Sequence, residues 1–144
     1  MSLKDVLVFL DDGKTNADRV EAALYLAKTH GANVTGIALA TLKPMHAKVE
    51  DEKAIARMGE KLADKLVDEF NRAAAEAGLT SNTIIIFGDA ATSAVKVAHY
   101  ARNFDLVILQ QPNPAHDSFL RLQEFAQQVL LLSGRPVFFM PYIG

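Results

Sequence analysis

The segment from Leu106 to Ser133 contains a polar loop at a position where α/β proteins often bind a ligand. It reads as a buried strand, a polar loop from Gln110 to Asn113, and a helix. In a parallel α/β sheet such a loop binds phosphate, because backbone N–H groups and the positive end of the following helix face the anion. Loops of this kind are usually rich in glycine, yet no glycine lies between Leu106 and Ser133. The segment is therefore either a binding site of unusual chemistry or a site that is closed.

Two other polar turns follow predicted strands. Asp11–Gly13 comes directly after an apolar run that ends at Leu10, and Gly88–Asp89 follows a second such run. The carboxyl ends of parallel strands share one edge of a sheet, and ligands bind at that edge where the strand order switches. We therefore expect these turns to meet Leu39–Ala40 and Gln110–Asn113 in one candidate site.

The acidic pair Asp11–Asp12 allows a second interpretation. It resembles the acid pair of a response-regulator receiver domain, which binds magnesium beside a phosphorylated aspartate, and Asp89 would then be the acceptor. A receiver also needs a hydroxyl residue after its fourth strand and a lysine after its fifth. This chain has Gln110–Gln111 and Pro141–Tyr142 at those places. The receiver is therefore the alternative from a different class.

Other catalytic or metal-binding patterns are weaker. No two of the four histidines stand at metal-ligand spacing on one helix face, and ordinary helix or loop positions explain them: His30, His46, His99 and His116. The run His116-Asp117-Ser118 suggests a catalytic triad, but neighbours in sequence do not form that geometry, and no Gly-x-Ser-x-Gly turn is present. We predict no catalytic residue, no metal site and no enzymatic activity.

Hydrophobic periodicity predicts five strands that alternate with four helices. The strands are expected at 4–10, 33–40, 82–87, 105–109 and 136–140, and the helices at 15–30, 51–77, 91–103 and 119–132. Short apolar runs separated by amphipathic helices are typical of a parallel sheet covered on both faces. The sequence therefore predicts a single α/β domain over residues 1–144, with a three-layer αβα architecture.

The sequence also predicts where three helices begin, and its composition narrows the possible partners and the cellular compartment. Thr15 with Asp18 predicts a capping box, Asp89 predicts the N-cap of the third helix, and Asp117 or Ser118 that of the fourth. The net charge of −2 offers no basic field for nucleic acid, and no apolar run is long enough for a membrane span. The absence of cysteine fits a reducing compartment, and we expect a cytoplasmic protein.

Three stretches of the chain, read in order, carry a family resemblance. "KDVLVFLDDGKTNADRVEAALYLAKTHGANVTGIAL" resembles the first strand, first helix and second strand of the universal stress protein family. "FGDAATSAVKVAHYARNFDLVIL" resembles that family's Gly-Asp-Pro turn and fourth strand, with Ala90 in the proline position. "LRLQEFAQQVLLLSGRPVFFMP" resembles its last helix and strand. The resemblance covers the whole chain and implies an adenine nucleotide α hydrolase-like fold, with a five-stranded parallel sheet in the order 3-2-1-4-5.

The resemblance also sets an expectation for nucleotide binding. ATP-binding members carry Gly-x2-Gly-x9-Gly-(Ser/Thr) after the fourth strand, and here those positions hold Gln110, Asn113, Gln123 and Glu124. Pro112 and Pro114 remove backbone N–H groups from the loop, and a carboxylate at position 124 would repel phosphate. We therefore expect no tight ATP binding and no resident cofactor.

The part of the predicted pocket that would contact adenine keeps more of the family pattern. Binding of an AMP-like or other small adenine ligand is therefore the alternative function. Asp11 matches the family's carboxylate after the first strand, and Leu39 or Ala40 lies near the position whose backbone meets adenine. The full candidate pocket, degenerate in this sequence, comprises Asp11, Asp12, Gly13, Leu39, Ala40, Gly88, Asp89, Gln110, Asn113, Gln123 and Glu124.

The predicted fifth strand is a candidate surface for association with another chain or domain. In the implied strand order it lies at a sheet edge, and its apolar residues invite pairing with another strand: Val137, Phe138, Phe139 and Met140. The resemblance implies a homodimer through this strand, or a pairing of two domains in one longer polypeptide. We expect a stress-response domain that acts through dimerisation or a protein partner, without nucleic-acid or membrane binding.

Overall fold

Strands and helices alternate along the chain in the computed structural model, which describes residues 3–40, 52–87, 92–115 and 119–141. The elements are β1 (Asp5–Leu10), α1 (Asn16–His30), β2 (Asn33–Leu39), α2 (Glu52–Glu76), β3 (Ser81–Ile86), α3 (Ser93–Ala101), β4 (Leu106–Gln110), α4 (Phe119–Ser133) and β5 (Val137–Met140). Each predicted strand and helix is confirmed, with ends that differ by one or two residues.

The five strands form one parallel sheet in the order β3-β2-β1-β4-β5, which confirms the predicted topology. β1 lies in the centre, where Val6 stands beside Val34 on one side and Leu106 on the other. A receiver domain has the order 2-1-3-4-5, in which the third strand adjoins the first. Here β2 separates β3 from β1, so the receiver alternative is wrong.

Two hydrophobic cores lie on opposite faces of the sheet. On one face α1 and α2 cover alternate residues of β1, among them Val6 and Val8. On the other face α3 and α4 cover Leu7 and Phe9. Because both faces of β1 are buried, its sequence is continuously apolar, as expected for a central parallel strand.

Two helix starts differ from the prediction. Thr15 is the N-cap of α1 but makes no capping hydrogen bond, because its hydroxyl donates to the side chain of Gln110 instead. α3 begins one residue after Thr92, its N-cap, rather than after Asp89. At the other end of α1, Gly31 has a φ of 64° and its N–H donates to the carbonyl of Ala27, so glycine ends the helix as predicted.

The remaining helix predictions have mixed outcomes. His30 lies in the last turn of α1 and accepts a hydrogen bond from the N–H of Leu3, at 3.4 Å. His99, expected at the core edge, is exposed on α3 with its ring against Tyr100. Asp89, His46 and the predicted cap residues of the last helix, Asp117 and Ser118, lie outside the described residues, as does His116. Within the described ranges, no helix combines the length and apolarity that a membrane crossing needs.

Candidate functional site

The carboxyl ends of β1 and β4 form the switch point of this sheet. The chain passes from β1 to β2 on one side, and from β3 it crosses to β4 on the other side. Ligand sites in open α/β sheets lie in the crevice that such a switch creates. Asp11, directly after β1, and Gln110, the last residue of β4, come together there.

A buried arginine of α1 links these two residues. The side chain of Arg19 is fully buried, and its Nη2 donates to Asp11 Oδ1 at 2.6 Å and to Asn16 Oδ1 at 3.0 Å. Its Nη1 donates to Gln110 Oε1 at 2.8 Å, and its Nε donates to the carbonyl of Phe9 at 3.1 Å. Four oxygen atoms therefore converge on one guanidinium.

Burial makes this arrangement energetically demanding. Removing an ion pair from water costs several kcal/mol per ion, and good geometry with further hydrogen bonds is needed to offset that cost. Arg19 meets this requirement, because the Asp11 carboxylate supplies the opposite charge and three neutral oxygens accept the remaining bonds. Asp11 is itself 22% exposed, so it is the member of the pair that remains in contact with solvent.

Further hydrogen bonds extend the network to a neighbouring strand. Asp11 Oδ1 also accepts from the N–H of Gly13 at 2.9 Å, and Asn16 Oδ1 accepts from the N–H of Asp11 at 3.0 Å. Gln110 Nε2 donates to the carbonyl of Met140, the last residue of β5, at 3.1 Å. One polar network thus joins the ends of β1, β4 and β5 to the first turns of α1.

Apolar side chains fill most of the space next to this network. Pro112, Leu122 and Phe125 close in on the strand ends, and the rings of Phe9 and Phe125 lie 5.2 Å apart. The cavity left among the described residues, beside Asp11 and Gln110, measures about 60 Å³. Pockets for small ligands measure about 300–1,000 Å³. The cavity beside Asp11 and Gln110 is therefore too small to hold a nucleotide.

The structure brings together part of the predicted pocket. Asp11, Gly13 and Gln110 share the network, and the exposed Asp12 lies in the same turn. Leu39 and Ala40 are buried at the end of β2, where the N–H of Ala40 donates to the carbonyl of Ile86 at 2.9 Å.

The motif positions after β4 do not meet in the same way. Asn113 is exposed, and its side-chain oxygen accepts a hydrogen bond from the N–H of Ala115 at 2.9 Å, within its own loop. Glu124 is also exposed and accepts from Gln128 on the same helix at 3.3 Å, while Gln123 is half-buried on α4. Neither Gln123 nor Glu124 borders the small cavity. Gly88 and Asp89 lie outside the described residues.

Sequence reasoning missed Arg19, the residue that organises the site. A signal was present, because Arg19 falls on the apolar stripe of α1, one turn before Ala23 and two turns before Ala27. A charged residue on a buried helix face needs an opposite charge nearby. Asp11, one short turn upstream of the helix, was the available partner.

Comparison with known proteins locates this fold among solved structures. The chain matches no protein-family model and no curated protein sequence. It is structurally similar to the universal stress protein UspA from Lactobacillus plantarum, with a TM-score of 0.72 and 15% identity over 97% of this chain and 99% of that one.

Two further structures show the same likeness. A universal stress family protein from Burkholderia pseudomallei has a TM-score of 0.70 and 17% identity over 96% of each chain. The universal stress protein from Archaeoglobus fulgidus in complex with dAMP has a TM-score of 0.64 and 14% identity over 96% of this chain and 98% of that one. The chain therefore has the fold of the universal stress proteins, as the resemblance in its sequence predicted.

Proposed function

We propose that the chain is a non-catalytic universal stress protein domain whose own side chains close its nucleotide site, and that it acts through dimerisation or a protein partner. The observation that carries this proposal is the buried Arg19, which engages Asp11 and Gln110 at the switch point. A nucleotide at that point would have to displace a fully buried, hydrogen-bonded cation as well as the packed Phe125 and Pro112. That displacement would consume much of the binding energy that a nucleotide could supply.

Titration with ATP and magnesium tests the closed site. We expect calorimetry to detect no binding with a Kd tighter than ~10 μM. A melting experiment adds a second readout, since a ligand at 100 times its Kd stabilises a protein by about 2.7 kcal/mol, which is several degrees for a domain of this size. A micromolar Kd for ATP, or a clear rise in Tm with ATP, would show that the loop after β4 binds phosphate and that the proposal is wrong.

A weak adenine ligand is the second candidate. The Archaeoglobus fulgidus structure holds dAMP, and Asp11 keeps a partly exposed carboxylate at the matching end of the site. AMP, adenosine and cyclic AMP therefore belong in the same melting experiment, with ATP as the comparison. A shift with adenosine and AMP that is absent with ATP would favour this candidate over the closed site.

The side chains at the described part of the site support the proposal of a non-catalytic role. The hydroxyl of Thr15 donates to an amide oxygen of Gln110, which is no general base, so nothing there activates it as a nucleophile. Among the described residues, no three His, Cys, Asp or Glu side chains are grouped closely enough to hold a metal ion. Incubation with ATP and magnesium should release no ADP or AMP above the uncatalysed level, and turnover that Arg19→Met abolished would contradict the proposal.

Edge strand β5 is the surface that we assign to self-association. It is the outermost strand on its side of the sheet, and its Phe138 is 46% exposed. Val137 and Phe139 pack against the core under α4, which leaves the strand edge and Phe138 for a second copy. Antiparallel pairing of two such edges would satisfy their unpaired backbone groups and bury the phenylalanines.

Light scattering at ~50 μM tests this assignment, with a dimer as the expected species. Phe138→Lys should convert the dimer to a monomer, because it places a charge in the paired edge. Val95→Lys is the matched control: Val95 is 54% exposed on α3, away from the edge, and its substitution should leave the mass unchanged. A wild-type monomer, or a dimer that Phe138→Lys does not weaken, would contradict the assignment.

A further inference from the structure

A groove between α1 and α2 is larger than the cavity at the strand ends. It measures about 500 Å³, against about 60 Å³ beside Asp11 and Gln110. The α1 residues that line it run from Asn16 to Lys28, which corresponds to about 18 Å of helix at 1.5 Å per residue. The groove is therefore elongated, and its volume lies within the range of small-molecule sites.

Small side chains and one deeply placed ring create this space. Ala17 on α1, Ala73 on α2 and Ala77 directly after α2 line the groove, so small side chains leave the gap between the helices open. Phe70 is 1% exposed and lies so close to the sheet that a Cβ on Gly36 would come within 2.9 Å of its ring. Because Gly36 has no side chain, the ring of Phe70 packs close to the sheet and forms the floor of the groove instead of filling it.

The charges on the rim favour a positively charged ligand. Glu21 forms no ion pair within the described part of the chain, and Tyr25, one turn further along α1, is 69% exposed beside it. Glu69 on α2 adds a second carboxylate, which Lys65 approaches at 3.8 Å. The remaining cation, Lys28, lies in the last turn of α1, where it already complements the negative end of the helix.

We propose that the groove between α1 and α2 binds an amphipathic amine, with its apolar body over Phe70 and Ala73 and its ammonium group at Glu21 and Tyr25. A carboxylate beside an exposed aromatic ring is a suitable environment for an ammonium ion, through charge attraction and cation–π contact. The alanine-lined walls and the Phe70 floor offer apolar surface to an alkyl or aromatic body. This site lies on one face of the sheet and meets the network at the strand ends only at Asn16, so the proposal does not depend on nucleotide binding there.

Three probes of equal chain length test the proposal: octylammonium, octanol and octanoate, each titrated into the 15N-labelled full chain and followed by amide chemical shifts. We expect octylammonium to shift amides of α1 and α2 saturably, and to bind about tenfold more tightly than octanoate. Equal binding of all three probes would overturn the charge preference. The absence of saturable shifts on these helices at millimolar octylammonium would overturn the site.

Two pairs of variants locate the binding within the groove. Ala73→Leu narrows the groove beside Phe70 and should weaken the binding, whereas Ala75→Leu, on the exposed side of the same helix, should leave it intact. Glu21→Gln should weaken octylammonium binding about five- to tenfold, and Asp18→Asn, also exposed on α1 but outside the groove, should not. Unchanged affinity in both Ala73→Leu and Glu21→Gln would show that the amine binds elsewhere.

Discussion

The central strands β1 and β4 are joined by polar side chains at both ends, and the two ends are built differently. At the carboxyl ends, the fully buried Arg19 donates to Phe9, Asp11 and Gln110. At the amino ends, the carboxylate of Asp105 accepts from the N–H groups of Lys4 and Asp5, at 2.8 and 3.0 Å. One end uses a cation away from water, and the other uses an anion at the surface.

This difference indicates which end of the strands contributes more to the stability of the fold. Asp105 accepts hydrogen bonds from two backbone N–H groups at the start of the neighbouring strand, and water can replace those bonds when the side chain is lost. Arg19 contacts oxygens from β1, the loop after it, α1 and β4, and water cannot reach the guanidinium. Loss of Arg19 should therefore be costly and widespread, and loss of Asp105 modest and local.

The largest effect is expected from Arg19→Met, which keeps an apolar stem but removes the charge. Breaking a buried ion pair costs about 3–5 kcal/mol, and the partial exposure of Asp11 places this case near the lower value. Urea unfolding should therefore show a loss of about 3 kcal/mol in the free energy of unfolding. Arg121→Met, at an exposed position on α4, should change it by less than about 0.5 kcal/mol.

A double variant keeps this prediction testable if Arg19→Met fails to fold. Adding Asp11→Asn removes the uncompensated carboxylate and should recover part of the loss. A loss below about 1 kcal/mol in Arg19→Met would mean that the guanidinium is not the main link at this end of the sheet.

A smaller effect is expected from Gln110→Ala, which leaves the Arg19–Asp11 pair intact. The variant loses the hydrogen bond that Gln110 accepts from Arg19 and the one that it donates to the carbonyl of Met140, for a cost of about 1–2 kcal/mol. Amide hydrogen exchange should also quicken in β5, because one of its anchors to β4 is gone. Gln111→Ala is the control, since that side chain is exposed, and unchanged exchange in β5 with Gln110→Ala would contradict the link.

The smallest effect at neutral pH is expected from Asp105→Asn, and its signature is a pH dependence. Hydrogen bonds from the N–H groups of Lys4 and Asp5 lower the pKa of Asp105 below its ordinary value of 3.8. A lowered folded-state pKa means that the carboxylate stabilises the fold above pH 3.8, and that this contribution disappears as the pH falls through the folded-state pKa.

Melting curves between pH 7 and pH 2 check this prediction. The difference in Tm between wild type and Asp105→Asn should be greatest above pH 4 and should shrink toward pH 2. Asp68→Asn, at an exposed position on α2, serves as the control for a general effect of charge. A difference in Tm that stays constant across this range would show that the Asp105 carboxylate has no special role.

The sequence was sufficient for the fold because local patterns and global topology agree in this chain. Alternating apolar runs and amphipathic helices gave the elements, Gly31 and Gly134 marked helix ends, and the family resemblance supplied the strand order. The candidate site was predicted in part, since Asp11 and Gln110 follow adjacent strands and meet where the switch point requires.

The rest of the site depends on side-chain geometry that sequence patterns do not encode. Thr15 looked like a helix cap, but a long-range partner, Gln110, takes its hydroxyl. Arg19 was not among the predicted site residues, and only its burial in the structure identifies its role. Glu124, which the alignment places at a phosphate position, is exposed and accepts a hydrogen bond from Gln128, so its expected repulsion of phosphate stays a prediction. In each case the deciding fact is the distance between residues far apart in the chain or the direction of a side chain.

The contact between Gln110 and Arg19 has a consequence for how this sequence can change. Glycine at position 110, which ATP-binding relatives of the implied pattern would carry, removes the acceptor that Nη1 of Arg19 uses. Replacing Arg19 first leaves Asp11 without its counter-ion. Each step alone is therefore expected to cost stability, about 1–2 kcal/mol at position 110 and about 3 kcal/mol at Arg19. We infer that Arg19 couples the changes that are possible at positions 11 and 110, because it is a hydrogen-bond partner of both residues.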